Sequence, residues 1–329
     1  MQIKNIAITP SPHVRSSVST RRLMQEVCLA LAPAGIASVI LFGAPAAVII
    51  AASVITCVLA EYLYQRLMKQ KVTVGDWSAV VTGLLLAYNI PAGAPVWIPI
   101  VGGIFAIIIV KQLFGGIGSN FMNPALTARA VLFVSWNDIM IKYPQTVFLA
   151  KGRVGLDAVS GATPLAELGK VFTGAEGASL SNVSLLDLLL GNCAGVLGET
   201  CKIALILGGV YLIVRKVIDW RIPVSMIGTV AVMYLLTSGF NLGLTARELL
   251  SGGLMLGAFF MATDYCTSPQ TNKGRLIFGA GCGLLLFVIR AYASYPEGCS
   301  FAILFMNVCT PLIDRWTAPR YFGEVRKHG

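Results

Sequence analysis

The sequence predicts an all-α polytopic membrane protein, with about ten transmembrane helices arranged as two inverted five-helix repeats. Composition is the first of three observations behind that expectation. The chain has 329 residues, 56% of them hydrophobic and only 12% charged, and its mean hydropathy is +0.76. Soluble domains carry about 25% charged residues, so this chain has too little polar surface to cover a globule in water. Apolar segmentation is the second observation, because a helical span needs about 20 mostly apolar residues and segments of that kind recur along the chain. The third is that short patterns from the first half return in the second.

In chain order, spans are predicted near 25–43, 46–66, 77–91, 96–114, 122–136, 200–218, 222–239, 247–263, 275–291 and 299–316. The segments 122–136 and 247–263 are short and interrupted by polar residues, as broken or tilted helices would be. Residues 1–24 are polar and basic, without a cleavable apolar core near the start, and read as a cytoplasmic tail rather than a signal peptide. Residues 25–136 form a first membrane half and 200–316 a second. A loop at 137–199 joins them, and 317–329 is a cytoplasmic C-terminal tail. Thr82-Gly83-Leu84-Leu85-Leu86-Ala87 in the third span is echoed by Gly252-Gly253-Leu254-Met255-Leu256-Gly257 in the eighth. Phe121-Met122-Asn123, soon followed by Pro124, returns as Phe305-Met306-Asn307 before Pro311. Five spans per half force the halves into opposite orientations, the inverted-repeat design of many transporters. The glycines allow close helix packing or a mid-membrane break. Gly115-Gly116-Ile117-Gly118-Ser119-Asn120, leading into Asn123-Pro124, is the better candidate for irregular backbone at membrane depth.

Orientation follows from the basic residues. With the N-terminus inside, 17 of the 25 Lys and Arg residues fall in inner segments and 7 in outer ones, with Arg129 inside a span. That bias selects cytoplasmic N- and C-termini and an outer location for the long loop. It also accounts for most of the net charge of +10 without a nucleic-acid partner. The eight cysteines include no Cys-x-x-Cys pair and read as small apolar packing residues. Only Cys193 and Cys201, eight apart near the outer face, are placed for a disulfide. Grouped thiolates for an iron–sulfur cluster are missing, and no metal site is expected.

The loop from 137 to 199 is far longer than the other connections, and loops of this length usually carry function. It ends in Ser184-Leu185-Leu186-Asp187-Leu188-Leu189-Leu190-Gly191, a capped apolar helix expected at the outer interface. Its first half contains Asp157-Ala158-Val159-Ser160-Gly161-Ala162-Thr163, followed by Pro164. A threonine hydroxyl is a poor nucleophile until a base or metal activates it. The Gly161-Ala162 neighbours leave Thr163 open to a modifying enzyme, Pro164 would hold it extended, and Asp157 would touch that enzyme or shape the loop. The alternative is an ordinary turn with Asp157 and Ser160 bonding local backbone.

This heptapeptide has the form Asp-x-x-Ser/Thr-Gly-Ala-Thr and resembles the site where a flavin transferase joins flavin mononucleotide (FMN) to a threonine through its phosphate. Taken with Phe121-Met122-Asn123-Pro124-Ala125-Leu126, Arg129, Met261-Ala262-Thr263-Asp264 and Phe305-Met306-Asn307 before Thr310-Pro311-Leu312-Ile313-Asp314, the chain resembles the D subunit of the Rnf complex from about residue 20 to 320. That family is related to the B subunit of the sodium-translocating NADH:quinone reductase, whose longer N-terminal extension fits this chain less well. The resemblance implies covalent FMN on Thr163 and an attachment motif including Asp157, Ser160, Gly161 and Ala162. It also implies a second, non-covalent riboflavin among the helices, partner subunits of an Rnf-type complex, and a flavin transferase for maturation. The implied activity is electron transfer within a complex that couples ferredoxin oxidation and NAD reduction to sodium or proton movement across a bacterial or archaeal cytoplasmic membrane. A non-redox inverted-repeat transporter is the rival from another class.

The remaining charged residues are read individually. Lys151 and Arg153 flank the motif and either balance phosphate charge or stand solvated. Arg129 pairs with a backbone carbonyl or carboxylate, or binds cofactor. Ionisable groups in spans are costly and usually functional. Asp264 and Asp76 suit helix-terminal caps, with Trp77 as an interface anchor. As ion-path residues Asp264 comes first and Glu61 second.

Overall fold

The computed structural model describes residues 19–144, 146, 163–172, 180, 184–293 and 297–319. Regular structure among them is helical, apart from isolated bridge residues such as the pair Pro91 and Val196. Helix α1 (Thr20–Phe42) starts at Ser19, whose side chain accepts the Arg22 N–H, and stops at Gly43, whose φ of +74° a bulkier residue would resist. Helix α2 (Ala44–Leu67) follows at once, with a proline in its first turn. These two and α13 (Asn272–Tyr292) are long and apolar enough to cross a membrane. Ile55, Leu59 and Leu63 of α2 are more than half exposed and recur every four residues along one face, as lipid contact requires.

The other predicted spans are realised as shorter or irregular helices. The 77–91 segment becomes α3 (Ser78–Tyr88), with Trp77 at the cap position and Asp76 just before it, its Oδ1 accepting from the Ser78 N–H and hydroxyl. The 96–114 segment is α4 (Trp97–Ile104) running into a π-helical stretch, Phe105–Gln112. Glycines 115, 116 and 118, all at positive φ, then turn the chain toward Asn123. Asn123 Oδ1 accepts from the Ala125 and Leu126 N–H groups and starts α5 (Pro124–Ser135). Short α6 (Asn137–Met140), α7 (Pro164–Phe172) and α8 (Leu185–Leu190) belong to the connection between the halves. Gly191 in the left-handed region ends α8, as its sequence predicts.

In the second half, α9 (Lys202–Val214) and α10 (Arg221–Thr237) realise two predicted spans. The 247–263 segment is not one helix. α11 (Leu242–Leu250) stops at Ser251, and Gly252 has φ +59°. The chain restarts as α12 (Leu254–Leu256), continuing as a π-helical turn, Gly257–Met261. Finally, α14 (Cys299–Thr317) runs antiparallel beside α13.

α1 lies on α9, α5 on α14, α2 on α3 and α4, and α10 on α13 and the π turn after α12. Glycine sets the closest approaches. A Cβ on Gly83 of α3 would lie 2.7 Å from the Val54 Cα of α2, and one on Gly208 of α9 would fall onto the Ala30 carbonyl oxygen of α1. The connection is welded to the first half where Leu197 N–H donates to the Ile90 carbonyl at 3.2 Å and Ser38 Oγ donates to the Leu197 carbonyl at 2.5 Å. All eight cysteines are free, so Cys193 and Cys201 form no disulfide.

Candidate functional site

Thr163 sits immediately before α7 and acts as its N-terminal cap. The Ala166 N–H lies 3.2 Å from Thr163 Oγ1, and the Ala166 and Glu167 N–H groups also donate to its carbonyl. Pro164 occupies the first helical position, where its missing N–H costs nothing. Leu165 and Leu168 are buried; Leu168 packs with Leu188 and Leu244. Phe172 meets the rings of Tyr234 and Phe287 edge-on. So α7 is a short amphipathic helix pinned to the second half, and it fixes the position of Thr163. Asp157, Ser160, Gly161, Ala162, Lys151 and Arg153 lie outside the described residues.

Below Thr163 is a small pocket of about 30 Å³, lined by Tyr143, Leu188, Glu199, Lys202, Gly252 and Glu297 among others. Its floor is a buried charge cluster. Arg129 of α5 stands 3.3 Å from Glu297 and 3.8 Å from Glu199, and its other terminal nitrogen donates to Ser300 Oγ at 2.5 Å. Lys202 Nζ donates to the Gly252 carbonyl at 2.5 Å and to the Glu199 carbonyl. Arg290 of α13 donates to the Glu248 and Ser251 carbonyls and lies 3.6 Å from the Glu248 carboxylate. Arg129 therefore pairs with carboxylates, one of the two roles its sequence context left open. Glu199, Glu297, Glu248, Lys202 and Arg290 were not singled out from sequence. They meet only through the tertiary fold, although each is an ionisable residue at the edge of an apolar segment.

At the opposite end of the bundle, Glu61 and Lys111 form a buried ion pair at 2.7 Å. Lys111 also donates to Ser78 Oγ at 2.6 Å, and the chain of contacts continues to Asp76 on one side and through Gln65 to Thr73 on the other. Asp264 is half-buried, accepts from Thr267 Oγ1 at 3.1 Å, and lines a cavity of about 270 Å³. Lys111, Asn120, Asn123 and Phe260 also line it. Lys111 thus joins Glu61, by ion pairing, to the cavity that Asp264 lines. Within the described residues no group of three or more His, Cys, Asp or Glu side chains is arranged to hold a metal ion.

Over nearly its whole length the sequence matches one family model, described as NQR2, RnfD, RnfE family, across residues 7–323. The chain belongs to this family. Among its relatives is the D subunit of the Na(+)-translocating ferredoxin:NAD(+) oxidoreductase complex of Acetobacterium woodii, 47% identical over 98% of this chain and 96% of the relative. The D subunit of the proton-translocating ferredoxin:NAD(+) oxidoreductase complex of Clostridium ljungdahlii is 42% identical, covering 98% of both chains. The D subunit of the ion-translocating oxidoreductase complex of Escherichia coli is 39% identical over 96% of this chain and 98% of the relative. As an NQR2, RnfD, RnfE family member the chain is a membrane protein, in keeping with its apolar helices.

Proposed function

We propose that this chain is the D-type membrane subunit of an Rnf-type complex coupling ferredoxin:NAD redox chemistry to sodium or proton translocation. In this reading it carries FMN esterified through phosphate to Thr163 and works only within the complex. The observation that carries the reading is the placement of Thr163 as the N-terminal cap of α7, above a pocket containing Lys202. A phosphodiester on Oγ1 would lie at the positive end of that helix, where anions are favoured by roughly 0.3–1 kcal/mol. Oγ1 remains an acceptor for the Ala166 N–H after esterification, so attachment leaves the cap intact. A pocket of about 30 Å³ admits a small polar group or water and not an isoalloxazine ring, so the ring belongs outside it.

When bound, the flavin supplies the electron chemistry and the protein supplies position and electrostatics. α7 fixes the attachment point, and Arg129, Lys202 and Arg290 with their carboxylates supply a fixed field beneath it. A threonine hydroxyl needs activation to accept the phosphoryl group, and a separate flavin transferase would supply it. Three relatives named as D subunits favour the Rnf-type role over the quinone-reductase one. The pairing of α1 with α9 and α5 with α14 supports two inverted five-helix halves. The excess of basic residues on the side of the termini supports cytoplasmic termini and an outer Thr163. The cavity of about 270 Å³ between Asn120, Asn123 and Asp264 is the space we assign to the second, non-covalent riboflavin. It has close to the size and mixed lining of a cofactor site.

Flavin fluorescence on a denaturing gel tests the reading. Fluorescence should stay with the subunit band and disappear in Thr163→Ala while the band itself remains in the membrane. A wild-type band without fluorescence would favour the non-redox transporter.

A further inference from the structure

Two carboxyl groups converge beside the Thr163 pocket. Glu199 lies in the connection before α9 and Glu297 in the connection before α14, and both side chains are less than a tenth exposed. A Cβ placed on Gly253 would meet Oε1 of Glu199 at 2.7 Å and Oε1 of Glu297 at 2.8 Å, so the two oxygens point at one place. Glu297 Oε1 accepts the Gly253 N–H at 2.7 Å. Glu199 Oε1 is buried with no hydrogen-bond partner. A carboxylate oxygen that faces another carboxylate without a hydrogen bond, its nearest cation Arg129 at 3.8 Å, is costly, and a proton held between the two removes both the repulsion and the missing bond.

We propose that Glu199 and Glu297 form a carboxyl pair that binds one exchangeable proton, its affinity linked to the redox state of the flavin at Thr163. This rests on the Thr163 reading and deepens it by giving the flavin a protonic partner in the protein. With both carboxylates ionised, Arg129 and Lys202 offset their charge, and the Arg290–Glu248 pair behind them is balanced. At a pH where the pair is ionised beside the oxidised flavin, each electron reaching the flavin is matched by one proton reaching the pair from water on the Thr163 side. An O–H bond forms on Glu199, its hydrogen is shared with Glu297, and no bond to the flavin forms or breaks. The electron comes from a one-electron iron–sulfur carrier, the class that includes ferredoxin, and the proton leaves when the electron moves on. Linkage is reciprocal, so protonating the pair must raise the flavin's potential.

The surroundings suit a single shared proton. Burial, and next the Glu297 carboxylate, push the Glu199 carboxyl well above the usual carboxylate range. Burial also opposes charge on Glu297, but Arg129 holds that group below the usual range. The other titratable groups facing the pair are Tyr143, Cys193, Lys202, Arg290 and Cys299. Burial pushes the Cys193 thiol up to about 11 and raises the Tyr143 phenol further. Neither competes for the proton near neutral pH.

The test uses the purified intact complex, with gel fluorescence confirming that the flavin is attached. A complex without attached flavin overturns the Thr163 reading before the pair is reached. With flavin attached, its midpoint potential should fall with rising pH, by up to about 59 mV per pH unit where the pair is ionised beside the oxidised flavin, the equivalent of a tenfold change in proton activity for a one-electron couple. Redox-difference infrared spectra should show a carboxylic C=O band appearing on reduction. Both signals should be lost in Glu199→Gln and partly restored in Glu199→Asp, with Glu297→Gln as the second variant. A pH-independent wild-type potential without the band overturns the proposal, as does an unchanged slope and band in a flavin-bearing Glu199→Gln complex.

Discussion

Replacing Lys111 by methionine should be one of the most damaging single changes in the first half. The side chain is buried, with Nζ 2.7 Å from Glu61 Oε2 and 2.6 Å from Ser78 Oγ. Methionine fills a similar volume but leaves Glu61 buried without its counter-charge. Breaking a buried ion pair from one side costs about 3–5 kcal/mol, whereas removing both charges is often nearly neutral. Ser78 keeps Asp76 as a partner, so most of the loss belongs to Glu61. At roughly 2 °C per kcal/mol for a chain of this length, the melting midpoint of the detergent-solubilised complex should fall by roughly 6–10 °C in Lys111→Met. Glu61→Gln combined with Lys111→Met should recover at least half of it. The assay is thermal unfolding followed by size-exclusion chromatography, at one pH and one detergent concentration. A single variant as stable as wild type, or a double variant no better than the single, would refute the reasoning.

Further predictions concern helix packing and pH. Gly208→Ala places a methyl against the Ala30 carbonyl oxygen, and backbone cannot step aside as a flexible side chain can. A loss of about 1–3 kcal/mol should appear as a lower melting midpoint and less recovered complex. Asp219, between α9 and α10, accepts from Arg275 at 2.6 Å and Arg221 at 2.8 Å. Burial works against its charge, but the Arg221 N–H and the two guanidinium groups outweigh it and hold the carboxyl below its usual range. A group depressed in the folded state stabilises above its unfolded pKa, about 3.9, and that contribution is lost as pH falls through the folded value. Asp219→Asn should therefore cost about 1 kcal/mol near neutral pH, with the difference from wild type closing below about pH 4 in a pH series of melting curves.

The long apolar helices were legible because each is a continuous apolar run, as α1, α2 and α13 show. The third and eighth predicted spans were legible as places but not as shapes. α3 has 11 residues, and the eighth is broken at Gly252 and finished by a π turn. Neighbouring helices bury these pieces, and buried irregular backbone is tolerated at membrane depth where lipid-exposed backbone is not. Gly252-Gly253 carried a visible signal, since two adjacent glycines inside an apolar segment favour a break. At the site, Thr163 could be nominated from seven adjacent residues. Glu199 and Glu297 could not be paired with Arg129 in the same way, because they come from separate connections that meet only when α5 and α14 pack together. The partner of Glu61 was equally hidden, since Lys111 reaches it from the end of a π-helical stretch whose register the apolar pattern does not fix.

The central claim is that Thr163 carries the flavin. It is tested most directly by mass spectrometry of the proteolytic peptide containing Thr163, taken from the purified complex. A peptide heavier by FMN less one water, with the added mass assigned to Thr163 by fragmentation and missing from Thr163→Ala, is the result predicted here. An unmodified peptide from a complex active in ferredoxin-dependent NAD reduction would contradict it.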